Sequence, residues 1–474
     1  MFSLRRRSLM GAMLFTPILT VAPHVAAQSV SPTSAVATAD STRRLLDHYI
    51  AEAVRSNLAL AQQQVAVQRA EAGVQEANGR FLPSLGLNAR YSEFSGVINI
   101  GDFINPTYAA LNQLLGQQRF PTDINATLPF RQETKLDLQM PLFNGALFGA
   151  RAAARAQRDL VGSTRDAALR QLVADVQLAW LQVASATRAV QTLEATLPVL
   201  DENLRVSERL VSAGQATPDV VLRARAERSD LVQQLDDTRR LRAAAIRGFN
   251  LLRNQEPDAP IAMGLAGDTA ALALQEPADT LLPRAELVAH ALRHREELTQ
   301  AGSGVALARA QQRVAGSAFL PNLSLGASYG VQGDRYRVDR NNDVARASLV
   351  MSWNVCNGRQ DDARRQQANA LKQEALLRLR ETERGIATQV HNAADAVDVA
   401  RSNVRSARDR YDAAQRAFTL VERRYGEGLA TQVEFLSARA AYTSAALNQV
   451  ISRFTLDARL VELERVAALR PLPR

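Results

Sequence analysis

The chain has 474 residues and a formal charge of +9, with 46% hydrophobic but only 5% aromatic residues. Basic and acidic residues are interspersed without a long block of either sign, which argues against a nucleic-acid-binding protein. The single cysteine, Cys356, excludes an intrachain disulfide framework. Long stretches rich in Ala, Leu, Gln, Glu and Arg favour extended helices over a compact aromatic core.

The N-terminus is typical of a secretory signal. Three arginines at 5–7 precede an uncharged apolar run, and small residues before Gln28 suit a signal peptidase. The sequence therefore predicts a signal peptide over 1–27 and a flexible N-terminus over 28–43. Because no cysteine follows the cleavage site, we expect no lipid anchor. Since the mature chain has no apolar run of membrane-helix length, any membrane-spanning part is expected to be a β-barrel.

A short segment occurs twice. The stretch FLPSLGLNARY at 81–91 returns 238 residues later as FLPNLSLGASY at 319–329, which indicates an internal duplication. In both copies a proline, Pro83 or Pro321, pushes the preceding residue out of helical geometry. Apolar and polar side chains then alternate strictly, which predicts a strand with one apolar and one polar face.

Each copy is followed by a returning strand, KLDLQMPLF at 135–143 and ASLVMSWNV at 347–355. If the four strands cross a membrane, their apolar faces contact lipid. A half-buried sheet in a soluble domain has the same alternation and is the alternative. The candidate lipid-facing residues are Leu85, Leu87, Leu136, Leu138, Leu323, Leu325, Leu349 and Met351.

Two long helices follow the strand pairs, from about Ala146 to Val211 and from Gly358 to Tyr425. A helix of about 60 residues spans on the order of 90–100 Å. Both end in similar turns, SAGQAT at 212–217 and GEGLAT at 426–431. Glycine favours the left-handed conformation that ends a helix, and threonine caps the next one. The expected left-handed glycines are Gly214 and Gly428, and the expected caps are Thr217 and Thr431.

The order of these elements predicts two repeats. The first covers 44–253 and the second 284–470, and each contains a helix, a strand hairpin and a long helix pair. A connection rich in Pro, Asp and Ala covers 254–283, and 471–474 form a short C-terminal end. The first hairpin loop, 92–134, is predicted to be longer than the second, 330–346.

The sequence resembles the TolC-type outer-membrane efflux proteins, also called outer membrane factors. The resemblance rests on the duplicated FLP-x-L strand starts, on PLFNG at 141–145 beside NVCNG at 354–358, and on the paired G-x-A-T turns. The most specific stretch is RRYGEGLATQVEFLSARAAYTSA at 423–445. The resemblance covers about 44–470. It implies a mainly α fold with a small transmembrane β part. In that family three protomers share a twelve-stranded barrel, and their long antiparallel helices form an α-barrel tunnel.

The resemblance also implies a function. The chain would be the passive outer-membrane channel of a tripartite efflux or type I secretion system in a Gram-negative bacterium. Its partners would be two further copies of itself, a periplasmic adaptor, an inner-membrane transporter and outer-membrane lipid, with no nucleic acid. We find no pattern of an enzyme, a cofactor site or a metal site. The alternative is a periplasmic or secreted coiled-coil scaffold or adaptor without a membrane barrel.

Site residues follow from the same resemblance. Glu434 matches a position where family members place an acidic residue near the periplasmic constriction of the tunnel, whereas Ser437 replaces the acidic residue expected three positions later. An ordinary acidic residue in the first turn of a helix is the alternative. The turns containing Gly214, Thr217, Gly428 and Thr431 would form the periplasmic tip that contacts the adaptor.

Two other features have ordinary interpretations. His290 and His294 have the i, i+4 spacing of metal ligands, but we can name no third ligand, so we expect solvated helix residues. Cys356 is expected to be buried at a junction between a strand and a helix.

Overall fold

The computed structural model describes residues 32–95, 98–125, 127–128, 130–262, 282–333 and 342–473. The predicted signal peptide, 1–27, lies outside the described residues. The chain is mainly helical with a small sheet, and its elements occur twice in the same order. This confirms the predicted fold class, including the internal duplication. The exact boundaries of the two repeats remain predictions.

In the first repeat, two helices lead into a strand, and an irregular hairpin leads into two further helices. The elements are α1 (Pro32–Ser56), α2 (Leu58–Gly79), β1 (Ser84–Tyr91), β2 (Ile98–Asn99), α3 (Gly101–Leu115), β3 (Thr127–Leu128), β4 (Gln132–Phe143), α4 (Gly145–Ser212) and α5 (Asp219–Leu252).

The second repeat has the same plan with a simpler hairpin. The elements are α6 (Arg284–His294), α7 (Glu296–Gly316), a short 3₁₀ turn (Ser317–Phe319), β5 (Asn322–Gly333), β6 (Asp343–Ser352), α8 (Gln360–Gly426) and α9 (Gln432–Val466). Within the described parts of the chain, no helix combines the length and the apolar character needed to cross a membrane.

Three segments differ from the sequence-based expectation. Helix α1 begins at Pro32, inside the segment 28–43 expected to be flexible, because proline is well suited to the first position of a helix. The loop 92–134 contains α3 and the short β2–β3 pair, and β4 already begins at Gln132. Strand β6 ends at Ser352, so Trp353 and Val355 lie beyond it.

The four long strands form one antiparallel sheet in the order β1-β4-β5-β6. Cross-strand partners share a face of a sheet, so the register decides which side chains lie together. Leu87 pairs with Leu136, and Leu136 pairs with Tyr329. An irregularity in β4 between Pro141 and Phe143 shifts the register by one residue and keeps the apolar Phe143 opposite Leu323.

The long helices pack as antiparallel pairs. Helix α4 has 68 residues and α8 has 67, so each is about 100 Å long. Helix α4 packs on α5, α8 packs on α9, and α4 also contacts α9, which joins the two repeats. Leu169, Val176 and Leu193 are among the buried residues of α4.

Among the described residues, buried apolar side chains form three separate clusters along these helices. The first cluster joins α1, α4, α5 and α9 around Trp180, which is fully buried. The second cluster joins α6, α8 and α9 around Val390 and Leu463. The third cluster, which includes Leu231 and Phe435, joins α4, α5, α8 and α9 and lies nearest the turns that end α4 and α8.

Candidate functional site

The turns that end α4 and α8 have nearly the same backbone. Gly214 has a φ of +70° and Gly428 a φ of +72°, so both expected left-handed glycines are confirmed. In each turn the glycine N–H donates to the carbonyl three residues earlier, and the next N–H donates to the carbonyl five residues earlier. This pattern satisfies the last carbonyls of the helix and reverses the chain within a few residues.

Thr431 caps α9, as the sequence predicts. The Glu434 backbone N–H donates to Thr431 Oγ1 at 3.2 Å, and the Thr431 backbone N–H donates to Glu434 Oε2 at 2.7 Å, which completes a capping box. The Thr431 backbone N–H and hydroxyl both donate to the exposed Glu434 carboxyl and, with the nearby Arg424, lower its pKa below the usual range. The carboxylate is therefore ionised at neutral pH.

Thr217 does not cap α5, so this part of the prediction is wrong. Pro218 occupies the N-cap position and no side chain caps the helix there. The Thr217 hydroxyl instead donates to the carboxylate of Asp219. Pro218 corresponds in sequence to Gln432 of the second repeat, and α5 begins one residue later after its turn than α9 does, so Thr217 lies outside the N-cap position. Asp219 and Glu434 both lie in the first turn of their helices.

The two turns lie side by side at the same end of the helices. Gln432 of α9 donates from Nε2 to the Val220 carbonyl of α5 at 2.9 Å and to Ser207 Oγ of α4 at 3.2 Å. Asn203 donates to the Tyr425 hydroxyl at 3.3 Å. These bonds join both helix pairs next to the candidate tip. Sequence periodicity gives no signal for Gln432, because its partners are more than 200 residues away in the chain.

Glu434 and Ser437 are both exposed near the start of α9. In a single protomer the hydrogen bonds of the Glu434 carboxylate are those of the capping box at the start of α9. Whether it also lies near a tunnel axis depends on the arrangement of several protomers. Its role at a constriction therefore remains a prediction, as does the contact of the turns with an adaptor.

The sheet has one continuous apolar face. Leu85 pairs with Leu138, Leu87 with Leu136, Leu325 with Leu349, and Leu323 with Met351, so the register brings all eight candidate lipid-facing residues to one side. Several of them are strongly exposed in the protomer. The exposed fractions are 69% for Leu85, 68% for Leu87, 63% for Leu349 and 66% for Met351.

The opposite face of the sheet is polar. Asn88 donates to Asp137 Oδ2 at 2.6 Å, and both Arg90 and Lys135 pair with Glu133, at 2.9 and 2.7 Å. These pairs concentrate charged groups on the polar side. On the apolar side, Asp343 at the start of β6 accepts a hydrogen bond from the Tyr329 hydroxyl at 3.4 Å. Such a sheet can face lipid on one side and water on the other.

The histidine and cysteine residues that the sequence singled out differ in part from the expectation. The His290 Nδ1–H donates to the Ala467 carbonyl at 2.9 Å, and the side chain is half-buried rather than solvated. In the ranges that the structure covers, no three His, Cys, Asp or Glu side chains lie close enough to hold a metal ion. Cys356 is exposed, not buried, because β6 ends at Ser352 and α8 begins only at Gln360.

Known proteins share both sequence features and fold with this chain. Residues 287–468 match the family model described as outer membrane efflux protein. No curated protein matches the sequence of the chain. Among solved structures, CusC is similar with a TM-score of 0.73 and 16% identity, covering 90% of this chain and 92% of that one.

Two further solved structures have a similar fold. The outer-membrane channel OprN has a TM-score of 0.71 and 18% identity and covers 92% of each chain. The outer membrane protein VceC from Vibrio cholerae has a TM-score of 0.70 and 20% identity, covering 90% of this chain and 98% of that one. At these identities the structures show a shared fold. Together with the family match over 287–468, this confirms the predicted resemblance to the outer membrane efflux proteins.

Proposed function

We propose that this chain forms the exit duct of a tripartite efflux system in the outer membrane of a Gram-negative bacterium. The observation that carries the proposal is a sheet with one largely apolar face, on which Asp343 lies at the loop end of β6, attached to helix pairs about 100 Å long. The sheet would lie in the membrane, and the helices would extend into the periplasm. The family is one of transport channels rather than enzymes.

The duct is a homotrimer in this proposal. Among the described strands, β1 and β6 each have only one neighbour, so the sheet has two open edges. Open edges cannot persist in the hydrocarbon region of a bilayer, because their backbone groups find no hydrogen-bond partners there. Pairing β6 of one protomer with β1 of the next closes a barrel, and three copies of four strands give twelve strands.

Export through the duct is passive in this proposal. Energy comes from an inner-membrane transporter, which reaches the duct through a periplasmic adaptor. The adaptor contacts the tip formed by the turns of Gly214, Thr217, Gly428 and Thr431. Their exposure and their position at the far end of both helix pairs support this assignment.

The proposal is tested in a strain that lacks its own outer-membrane duct of this type. Cells that produce the chain with its adaptor and transporter should accumulate less ethidium than cells without the chain. The protein should fractionate with the outer membrane and migrate as a trimer that heat dissociates. A protein that remains in the soluble periplasmic fraction would instead support a coiled-coil scaffold.

Gly428→Val is expected to lower dye export strongly while the amount of trimer in the outer membrane is unchanged. Valine at a φ of +72° is strained by about 1–2 kcal/mol, although no other atom lies within 4 Å of the position of the added Cβ. The turn would then change its shape at the surface assigned to the adaptor. Export is measured as ethidium accumulation.

Gly426→Val is the matched control. Gly426 lies two residues earlier, ends α8, has equally open surroundings and does not have a positive φ. We expect it to leave export close to that of the unmodified protein. Normal export by the Gly428 variant would place the adaptor contact elsewhere.

Glu434→Gln is expected to reduce cation selectivity in planar-bilayer recordings of the purified trimer. The capping box keeps the Glu434 carboxylate ionised, so three copies would form a ring of negative charge if this face points inward. The effect should be modest because Ser437 supplies no second acidic ring. Recordings at low salt are the most sensitive, since screening is weakest there. Unchanged selectivity would place Glu434 outside the conduction path.

A further inference from the structure

A cavity of about 450 Å³ lies in the helical wall where α4, α8 and α9 meet. It is separate from the turns and from the sheet, and it is open on one side. The residues that matter for its chemistry are Arg188, Thr192, Tyr411, Phe418, Arg439 and Tyr442.

Aromatic rings form one wall of the cavity. The rings of Phe418 and Tyr442 are stacked, with centroids 5.5 Å apart and planes within 5° of parallel. The Tyr411 ring lies 5.6 Å from that of Tyr442, and the two hydroxyl oxygens are 3.4 Å apart. This arrangement offers a flat apolar surface for a planar ligand, with two hydroxyl groups beside it.

A buried guanidinium group lies next to this aromatic wall. Arg439 is only 6% exposed. Its Nη2 donates to Glu227 on α5, but its Nε has no hydrogen-bond partner among the described residues. An unused N–H of a buried charged group is costly, and native structures usually provide a partner for it. Arg439 and Tyr442 line the same cavity, so the guanidinium charge lies beside the aromatic wall.

The charge of the cavity indicates what binds. Arg188 is a second guanidinium group in the lining and donates to Gln191 at 3.2 Å. Of the described residues that line the cavity, none is Asp or Glu. Two carboxylates contact or neighbour lining residues: Glu227, which pairs with Arg439, and Asp412, which follows Tyr411 along α8. The lining therefore favours an anion over a cation.

We propose that this cavity binds an aromatic organic anion. Its carboxylate or sulfonate group accepts hydrogen bonds from Arg439 and Arg188, and its ring packs against Tyr442. Charge-assisted hydrogen bonds from guanidinium groups are among the stronger polar contacts in proteins, and arginine suits planar oxyanions. The proposal concerns the folded chain and does not depend on its role as an efflux duct.

The test compares two probes of the same shape, 2-naphthoate and its neutral analogue 2-naphthamide, by isothermal titration calorimetry with the purified full chain. We expect one saturable site per chain for 2-naphthoate and at least tenfold weaker binding of 2-naphthamide. Arg188→Gln and Arg439→Gln should each weaken 2-naphthoate binding about tenfold. Arg240→Gln is the matched control, because Arg240 is an exposed arginine on α5 outside the cavity, and its substitution should change nothing.

Two results would overturn the proposal. One is the absence of saturable 2-naphthoate binding, and the other is equal affinity for the acid and the amide. If Arg439→Gln fails to fold, Arg188→Gln and Tyr442→Leu decide the matter, because both side chains are only partly buried. Binding that neither of these variants weakens would place the probe elsewhere on the protein.

Discussion

Leu87→Arg is expected to remove most of the assembled trimer from the outer membrane. Leu87 lies in the middle of β1, is 68% exposed in the protomer and pairs with Leu136 on the apolar face. If this face contacts lipid near the bilayer midplane, an arginine there costs about 2–4 kcal/mol. Three protomers carry the change, so the cost recurs three times in one barrel. Heat-modifiable trimer in the outer-membrane fraction measures the result.

Asn88→Arg provides the control from the neighbouring residue. Asn88 lies on the opposite face and donates to Asp137 at 2.6 Å, so an arginine at this position meets a carboxylate and water. We expect nearly normal assembly. Leu325→Arg and Ser324→Arg repeat the comparison on β5, where the two residues again lie on opposite faces. Equal tolerance of arginine on both faces would contradict a lipid-facing sheet.

Asp457→Asn is expected to stabilise the protein at neutral pH. Asp457 in α9 is 2% exposed, and its carboxylate oxygens accept no hydrogen bond from the described residues. The closest cationic atom is Arg453 Nε, at 3.6 Å. Burial raises the pKa of Asp457 to about 6. At neutral pH the native state therefore holds a buried carboxylate that receives little compensation.

The pH dependence follows from the raised pKa. The native state holds the proton more tightly than the unfolded chain, so stability is highest below the unfolded pKa of about 4 and falls as pH rises through about 6. This pKa difference lowers the free energy of unfolding by roughly 3 kcal/mol at neutral pH relative to low pH. An uncharged amide avoids that loss. The gain from Asp457→Asn should then be on the order of 1–3 kcal/mol, because a buried amide still lacks partners.

Tryptophan fluorescence during denaturant unfolding measures this effect. Trp180 is buried in the first cluster, and Leu46 and Val461 of that cluster line the same cavity as Asp457. At about pH 7.5 the denaturant concentration at half-unfolding should be higher for the variant than for the unmodified protein. At about pH 4 the two proteins should have the same midpoint. Asp237→Asn on the exposed face of α5 is the control and should have no effect at either pH. A gain of the same size at both pH values would show that the charge of Asp457 is not the cause.

Features set by neighbouring residues could be predicted from the sequence. The alternation in β1 and β5 was sufficient to assign the apolar face, since side chains of a strand point alternately to opposite sides. Gly214 and Gly428 adopt the predicted left-handed conformation because the end of a long helix requires it locally. The cap at Thr431 depends on Glu434, three residues away, and was predictable for the same reason.

Features that depend on distant contacts could not be predicted. Helix α3 contains Pro106, and Asn105 fixes it to Ile124 with two hydrogen bonds across 19 residues. Gln432 contacts residues more than 200 positions away, and the orphaned Arg439 Nε becomes apparent only once three helices meet. The prediction of a cap at Thr217 was wrong although it depended on neighbouring residues, because Pro218 takes the N-cap position.

The three buried clusters do not merge into one core, and this has a consequence for cooperativity. Chains with one continuous core usually unfold in a single all-or-none step, whereas separate packed regions can open with different free energies. The third cluster, around Leu231 and Phe435, can lose its packing while the first cluster around Trp180 stays intact. Amide hydrogens near the turns of Gly214 and Gly428 should then exchange faster than those around Trp180, and no single free energy of unfolding describes the whole chain.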